Sequence, residues 1–353
     1  MIIFYIFVLY CIYSIFVSES KTKSISNVSL IIICIVLAVG AGLRDKDFWF
    51  DTPQYLEAYR FDIKTLFDLN LSTHVTGYND KGFIFLSSLL KTIYDNETFY
   101  LLIISLLTFV FLYIDFRKFS LYPLIGVAIY IARFFIGRNL MQIRAGLSIA
   151  IVVLCIYYVH EKKLIPYLIG IIVATLLHST MIIVLPFYWI NKLNITKKHV
   201  LLCIIASFLI AIFFAPTIKL YVSDFADDFN YTKYIESDSS KAYGFGLANP
   251  MIYYQCFILF MFTFYQEKIQ DKCPYYFELR NAYLYSTILI IVLSQWAIAS
   301  GRLSTIFATL EIGIIPSFLC IFGHKSRWFA YIIMGGVICT IMYLNLSPYI
   351  KGL

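Results

Sequence analysis

Apolar runs separated by short basic loops follow one another along almost the whole chain. Eleven runs lie at 2–17, 28–43, 98–115, 121–136, 140–159, 164–190, 200–222, 249–266, 279–299, 303–322 and 327–346. Most are long enough to cross a bilayer, which takes about 20 apolar residues, if they tilt or if flanking residues snorkel. Hydrophobic residues make up 61% of the sequence and charged residues 14%, which is typical of membrane proteins. The sequence therefore predicts an all-α, polytopic membrane protein with one transmembrane domain over 1–353.

Six short basic loops orient the predicted helices, because lysine and arginine concentrate in cytoplasmic loops. The loops contain Lys21 and Lys23, Arg117 and Lys118, Lys162 and Lys163, Lys192 with Lys197 and Lys198, Lys268 and Lys272, and Lys325 with Arg327. All six face the cytoplasm together if 164–190 crosses twice, with a break near His178, and if the short segment 82–94 does not cross. This topology has about 12 crossings and both termini outside. We expect 82–94 to be an interfacial or re-entrant helix.

Two long segments, 44–97 and 223–248, then lie on the outer, periplasmic side. The first is rich in aspartate, and the second mixes acids with aromatic residues such as Tyr243. Aromatic faces beside acids and amides suit sugar rings, whereas aromatic residues also form belts at membrane interfaces. Both interpretations stay open for Tyr243.

Four arginines lie at or near the ends of apolar runs on the predicted outer side: Arg44, Arg138, Arg144 and Arg302. Arginine near a bilayer is costly unless it faces a cavity or a partner. The planar guanidinium binds phosphate or carboxylate through two parallel hydrogen bonds. The set therefore predicts an anion site, although snorkelling is the simpler interpretation for Arg138 and Arg302.

The spacing of the two central arginines limits how they act together. On one helix Arg138 and Gln142 share a face, while Arg144 lies about 240° round from Arg138. Either Gly137 ends a helix and Arg138 lies in a loop, or only one of the two arginines serves the site. We favour Arg144, because small residues follow it at positions 145, 146 and 148 and allow close approach of a neighbouring helix or a ligand.

Three other polar residues are candidates for proton transfer or substrate binding. Asp51 stands before Thr-Pro, so it either caps a short helix or acts as a base or sugar ligand. His178 interrupts an apolar run at the predicted break, where it is either structural or part of the site. Glu311 is an acid in an apolar run, and it either contributes to function or pairs with an arginine.

The sequence lacks the motifs of several other classes. It has no Walker loop, GxGxxG or HExxH, so nucleotide-sugar or ATP chemistry is not indicated. Its eight cysteines include no CxxC pair and mostly lie in apolar runs, so we predict no metal ligand, disulfide or cofactor. The net charge of +7 includes no dense basic block, which argues against nucleic-acid binding.

At its polar motifs the chain resembles the EpsG family, a branch of the Wzy-type polysaccharide polymerases of bacterial envelopes. The matching residues run in order along nearly the whole chain: Gly42-Leu43-Arg44, Asp51-Thr52 with Tyr55, Gly82-Phe83, Arg144-Ala145-Gly146-Leu147, His178-Ser179, and Arg302. Three positions depart from the family pattern. Lys81 stands where an acid often precedes Gly-Phe, and Asp80 lies one residue earlier. Ala145 replaces a frequent glutamine, and Phe307 is the one aromatic residue left of those expected about a turn after Arg302.

The resemblance implies a GT-C-like glycosyltransferase of the inner membrane that uses neither metal nor cofactor. A terminal hydroxyl of one undecaprenyl-pyrophosphate-linked oligosaccharide attacks the anomeric carbon of another at the periplasmic face, and undecaprenyl pyrophosphate leaves. Arg144 and Arg302 hold the diphosphate, with Arg44 and Arg138 as weaker candidates, and Asp51 or His178 orients or deprotonates the acceptor. The expected substrate-binding set also contains Tyr55, Gln142, Glu311 and Tyr243.

The resemblance leaves the product open among O-antigen of lipopolysaccharide, capsule and exopolysaccharide, and it allows a chain-length regulator protein as a partner. One alternative is an O-antigen ligase, which transfers the glycan to a different acceptor. Another is a lipid-linked oligosaccharide flippase. A flippase needs charge along the full membrane depth, whereas the charges here gather at one face, with Glu311 as the exception.

Overall fold

A computed structural model describes residues 2–19, 23–74, 79–214, 246–323 and 325–350. Throughout these ranges the regular structure is helical, without a β-strand, which confirms the all-α prediction. Helices suit apolar runs in a bilayer because each helix satisfies its own backbone hydrogen bonds. The described residues group into two compact units, one within 1–185, 272–274 and 311–353 and the other within 186–271 and 275–310.

The first unit contains the N-terminal helices. In chain order they are α1 (Ile2–Glu19), α2 (Lys23–Gly42), α3 (Thr52–Glu57), α4 (Lys81–Ile93), α5 (Glu97–Phe119), α6 (Pro123–Tyr130), α7 (Ile143–His160) and α8 (Leu164–Leu177). A π-helix at Ile131–Met141 continues α6, and a 3₁₀-helix at Ser179–Val184 follows α8.

The second unit contains most of the later helices. They are α9 (Phe187–Ile190), α10 (Lys197–Phe213), α11 (Pro250–Phe264), α12 (Gln266–Ile269), α13 (Tyr276–Val292) and α14 (Ala297–Ala308). The chain then completes the first unit with α15 (Glu311–Ser317) and α16 (Arg327–Ile350).

Within the described residues, six helical segments are long and apolar enough to cross a membrane, or seven if one bent helix pair is a single span. The six are Ile2–Glu19, Ser24–Gly42, Glu97–Phe119, Pro123–Met141, Ile143–His160 and Arg327–Tyr349. These lengths agree with a membrane protein. The count of about 12 crossings and the GT-C-like architecture stay predictions.

Helices of the first unit reverse direction at their short connections. The rings of Phe116 and Tyr130 lie 5.9 Å apart across the α5–α6 connection. A Cβ added at Gly146 would lie 2.8 Å from the carbonyl oxygen of Arg138, so α7 folds back against the π-helix. The small residues after Arg144 thus allow the close helix approach that the sequence predicts.

The reversals separate the charged groups of the first unit into two sets. Arg117 and Lys118 end α5, and Lys162 follows α7, so these basic residues lie at one end of the helices. Arg144 begins α7 and His178 follows α8, so these two lie at the opposite end. Arg144 and His178 therefore lie away from the basic loops of this unit.

Helix α4 has both of its ends on the side of Arg144 and His178. It begins after Asp80, which contacts His178, and it leads through residues 94–96 into the start of α5. Its 13 residues measure about 20 Å, short of a bilayer crossing. This geometry supports the expected interfacial or re-entrant helix.

Candidate functional site

Asp80, immediately before α4, is the centre of a polar cluster in the first unit. Its Oδ2 accepts a hydrogen bond from Arg144 Nη1 at 2.5 Å and lies 3.3 Å from His178 Nδ1. Its Oδ1 accepts from the backbone amide of Ser179 at 2.9 Å. Arg144 Nε also lies 3.4 Å from the hydroxyl of Tyr55. We call Tyr55, Asp80, Arg144, His178 and Ser179 the Asp80 cluster.

The ionisable side chains of the Asp80 cluster are mostly buried. Asp80, Arg144 and His178 expose 8%, 14% and 17% of their side chains. Burial raises the pKa of the Asp80 carboxyl. The hydrogen bond with His178 and the charge of Arg144 lower this pKa by more than burial raises it, so the pKa of Asp80 lies below its usual value. The stability that ionised Asp80 contributes is therefore fully present above the pKa that Asp80 has in the unfolded protein. It is lost as the pH falls through the pKa that Asp80 has in the folded protein.

Helix α3 connects Arg144 with a second arginine. Thr52 and Tyr55 are one turn apart on α3 and share a face. Thr52 Oγ1 accepts a hydrogen bond from Arg44 Nε at 3.1 Å and donates one to the carbonyl oxygen of Leu140 at 3.0 Å. Arg44 and Arg144 therefore approach the same face of α3, beside the end of the π-helix.

The guanidinium of Arg44 is buried and incompletely hydrogen-bonded. The residue is 8% exposed, and its Nη1 donates to the Ala41 carbonyl oxygen at 2.7 Å. Within the described ranges its Nη2 is buried without a hydrogen-bond partner. Burial lowers the pKa of Arg44 to about 10, which leaves the group charged at neutral pH. An anionic oxygen would satisfy this group, which is otherwise costly to bury.

Both predicted settings of Arg138 are wrong. Gly137 does not end a helix, because α6 continues as the π-helix and the Gln142 amide donates to the Gly137 carbonyl at 2.9 Å. Arg138 does not snorkel either: it is 5% exposed, and its guanidinium lies 4.3 Å from the centre of the Phe134 ring. The wide π turns carry the helix past Gly137 and move the break to Gln142.

Glu311, at the start of α15, pairs with an arginine, as one of its two predicted interpretations requires. Its Oε2 lies 2.7 Å from Arg133 Nε, and the Glu311 side chain is fully buried. Arg133 belongs to the π-helix, so the ion pair joins α15 to the segment that carries Arg138. The contact gives Glu311 a structural role.

Asp51 occupies the N-cap position of α3, but its side chain makes no capping hydrogen bond, so the predicted side-chain cap is not formed. The sequence Ser300-Gly301-Arg302-Leu303-Ser304, between two apolar runs, predicts a short turn between two spans. This prediction is wrong, because Arg302 is exposed inside α14 of the second unit. The turn falls at 293–296, because the Trp296 amide bonds back to Leu293 and the Trp296 carbonyl starts α14. Tyr243 and most of 223–248 lie outside the described residues.

Two residues of these arrangements, Asp80 and Arg133, are missing from the predicted site. In the family pattern an acid often stands directly before the Gly-Phe pair, whereas Asp80 stands one residue earlier. This displaced acid was the feature of the sequence that could have indicated Asp80 as a site residue. Arg133 is a charge inside the apolar run 121–136, where an unpaired arginine would be costly. Either feature is sufficient reason to look for a buried partner.

Comparison with known proteins agrees with the motifs. The EpsG family profile matches residues 27–351. The "Amylovoran biosynthesis protein AmsC" of Erwinia amylovora is 24% identical over 313 residues, which cover 83% of this chain and 79% of that protein. No solved structure is significantly similar. The resemblance is therefore confirmed, and the chain belongs to the EpsG family.

Proposed function

We propose that the protein is a glycosyltransferase that polymerises oligosaccharide repeat units carried on a polyprenyl diphosphate. Membership of the EpsG family and the similarity to a protein of amylovoran biosynthesis support polysaccharide synthesis. The observation that carries the chemistry is the approach of Arg44 and Arg144 to one face of α3. Two guanidinium groups at the same helix face suit the two phosphates of a diphosphate.

The arrangement of Arg44 and Arg144 meets the demands of the reaction. An acceptor hydroxyl attacks the anomeric carbon of the donor glycan, the bond to the diphosphate breaks, and negative charge grows on the leaving group. Cationic groups fixed in a poorly solvated site stabilise such charge. The guanidinium groups of Arg144 and Arg44 supply this positive charge, and Arg302 stays a candidate phosphate ligand on the strength of the sequence motif. We assign Asp51, at the start of α3, to contact the sugar.

The distribution of charge in the first unit supports a periplasmic reaction at the inner membrane. Basic residues such as Lys118 and Lys162 lie at one end of its helices, and the Asp80 cluster lies at the other. Since basic loops favour the cytoplasm, we propose that the Asp80 cluster faces the periplasm. Lipid-linked repeat units are then both donor and acceptor on that side.

This orientation predicts the labelling of two engineered cysteines. Ser72 and Ser326 are both exposed, and each changes to cysteine at little cost in volume. None of the eight native cysteines is exposed, so the wild-type chain gives a low background. In spheroplasts, an impermeant maleimide should label Ser72→Cys at once and Ser326→Cys only after permeabilisation. The reverse pattern would place the Asp80 cluster in the cytoplasm and contradict the proposal.

A deletion of the gene separates the polymerase from its alternatives. Loss of a polymerase should leave products that carry a single repeat unit on the cell surface. Loss of an O-antigen ligase would leave long polymer attached to its lipid carrier, and loss of a flippase would leave repeat units inside the cell. Surface glycans resolved by electrophoresis test the proposal, and either of the latter patterns would contradict it.

A further inference from the structure

A single carboxylate joins three elements of the first unit at the candidate site. Asp80, just before α4, bonds to Arg144 at the start of α7 and to His178 and Ser179 at the end of α8. The Ser179 amide holds one carboxylate oxygen, while the other faces the guanidinium and the imidazole. Packing reinforces this junction, since a Cβ on Gly82 would lie 2.8 Å from the Leu176 carbonyl oxygen. The carboxylate therefore has one defined orientation toward His178.

The position of His178 gives its imidazole a defined orientation. The residue caps α8 in an extended conformation, and its amide donates to the Ala174 carbonyl at 2.8 Å. Nδ1 faces Asp80, and an ionised carboxylate there favours the tautomer with the proton on Nδ1. The lone pair is then on Nε2, at the opposite side of the ring. The side chain keeps 17% of its surface exposed, so a ligand can reach part of it.

We propose that His178 Nε2 accepts the proton of the acceptor hydroxyl and that Asp80 is the positioning residue behind it. This inference rests on the proposed function. In the step, the acceptor O–H bond breaks and its proton passes to Nε2, while the acceptor oxygen forms the new bond to the anomeric carbon. The bond from that carbon to the diphosphate oxygen breaks, and the electron pair leaves with the diphosphate.

The same carboxylate also stabilises the product state of this proton transfer. When the imidazole takes up the proton, it becomes positively charged, and the neighbouring Asp80 carboxylate stabilises this charge. The carboxylate of a Ser-His-Asp triad stabilises its histidine in the same way. Arg144 from α7 and Tyr55 from α3 are further ionisable groups at this place, and they contact one another. The proposal therefore assigns the acceptor base to His178 and leaves Asp51 to contact the sugar.

The chain supplies a matched control. Asp62 and His74 form a second aspartate–histidine pair, with 3.1 Å between Asp62 Oδ1 and His74 Nδ1, in the same segment of the chain. The His74 side chain is 98% exposed. Asp62→Asn therefore makes the same chemical change as Asp80→Asn without touching the Asp80 cluster.

The test is the single-turnover coupling rate of the purified, full-length protein with polyprenyl-diphosphate-linked repeat units, measured from pH 5 to 9. Asp80→Asn should lower the rate at pH 7.5 by roughly 10²-fold or more. Asp80→Glu keeps a carboxylate at this position and should recover part of the rate. Asp62→Asn should match the wild type. A wild-type rate in Asp80→Asn would overturn the inference.

A second variant decides the matter if Asp80→Asn does not fold. His178→Ala should be slower than wild type by roughly 10²–10⁴-fold, and added imidazole should restore part of its rate. A structural histidine gives no such rescue, so a defect that imidazole leaves unchanged would overturn the inference. If the wild-type protein itself forms no glycosidic bond, the proposed function fails, and that result is distinct from every variant result.

Discussion

Replacing Arg144 with alanine should abolish long polymer even when the result is normalised to the amount of protein in the membrane. The variant loses a cationic ligand of the leaving diphosphate and leaves the buried Asp80 carboxylate without its guanidinium partner. Removal of one such charge-stabilising donor typically slows an enzyme by about 10²–10³-fold. Arg144→Lys should recover little activity, because lysine keeps the charge but loses the planar fork. Polymer length distributions from cells and single-turnover rates of the purified variants measure the effect.

Arg117 is the matched control for this prediction. It is an exposed arginine at the end of α5, on the side of the basic loops, and its Nη1 donates to the Tyr113 hydroxyl at 3.1 Å. Arg117→Ala should make polymer of normal length. Wild-type polymer from both Arg144→Ala and Arg144→Lys would refute the role of Arg144 in binding the diphosphate.

Removing the charge of Glu311 should destabilise the protein strongly. Glu311→Gln leaves the Arg133 guanidinium buried without its counter-charge. Breaking one half of a buried ion pair costs about 3–5 kcal/mol. Replacing both partners with apolar residues of similar volume is often neutral. The double variant Arg133→Met with Glu311→Leu should therefore recover most of the loss, as measured by thermal unfolding in detergent.

Activity of that double variant separates the two predicted roles of Glu311. If the ion pair only holds α15 against the π-helix, the double variant should fold and should still make polymer. A double variant that is as stable as the wild type but makes no polymer would show that the Arg133–Glu311 pair has a role beyond stability. Arg133→Met alone should be nearly as unstable as Glu311→Gln.

Features that depend on local sequence were the ones that could be predicted. The run 164–190 is too long for one span and contains a polar His-Ser-Thr interruption, and α8 indeed ends at Leu177. The segment 82–94 is short and carries a lysine, and the structure has a separate helix at Lys81–Ile93. In both places length and polarity along the chain suffice, because these properties decide where an apolar helix begins and ends.

Contacts between distant segments could not be predicted in the same way. Asp80 lies 64 residues from Arg144 and 98 residues from His178 along the chain. Periodicity tells which residues share a helix face, but it does not tell which faces meet. The predicted settings of Arg138 were wrong for a related reason. They assumed the rotation per residue of an α-helix, whereas the segment Ile131–Met141 is a π-helix with a different rotation.

The proposed reaction joins lipid-linked repeat units and releases the diphosphate. It is tested with the purified wild-type protein in liposomes that contain polyprenyl-diphosphate-linked repeat units of the source strain. We expect a ladder of products that grows by one repeat unit per step, with one polyprenyl diphosphate released for each bond formed. Unchanged repeat units without released polyprenyl diphosphate, whether or not they cross the bilayer, would contradict it.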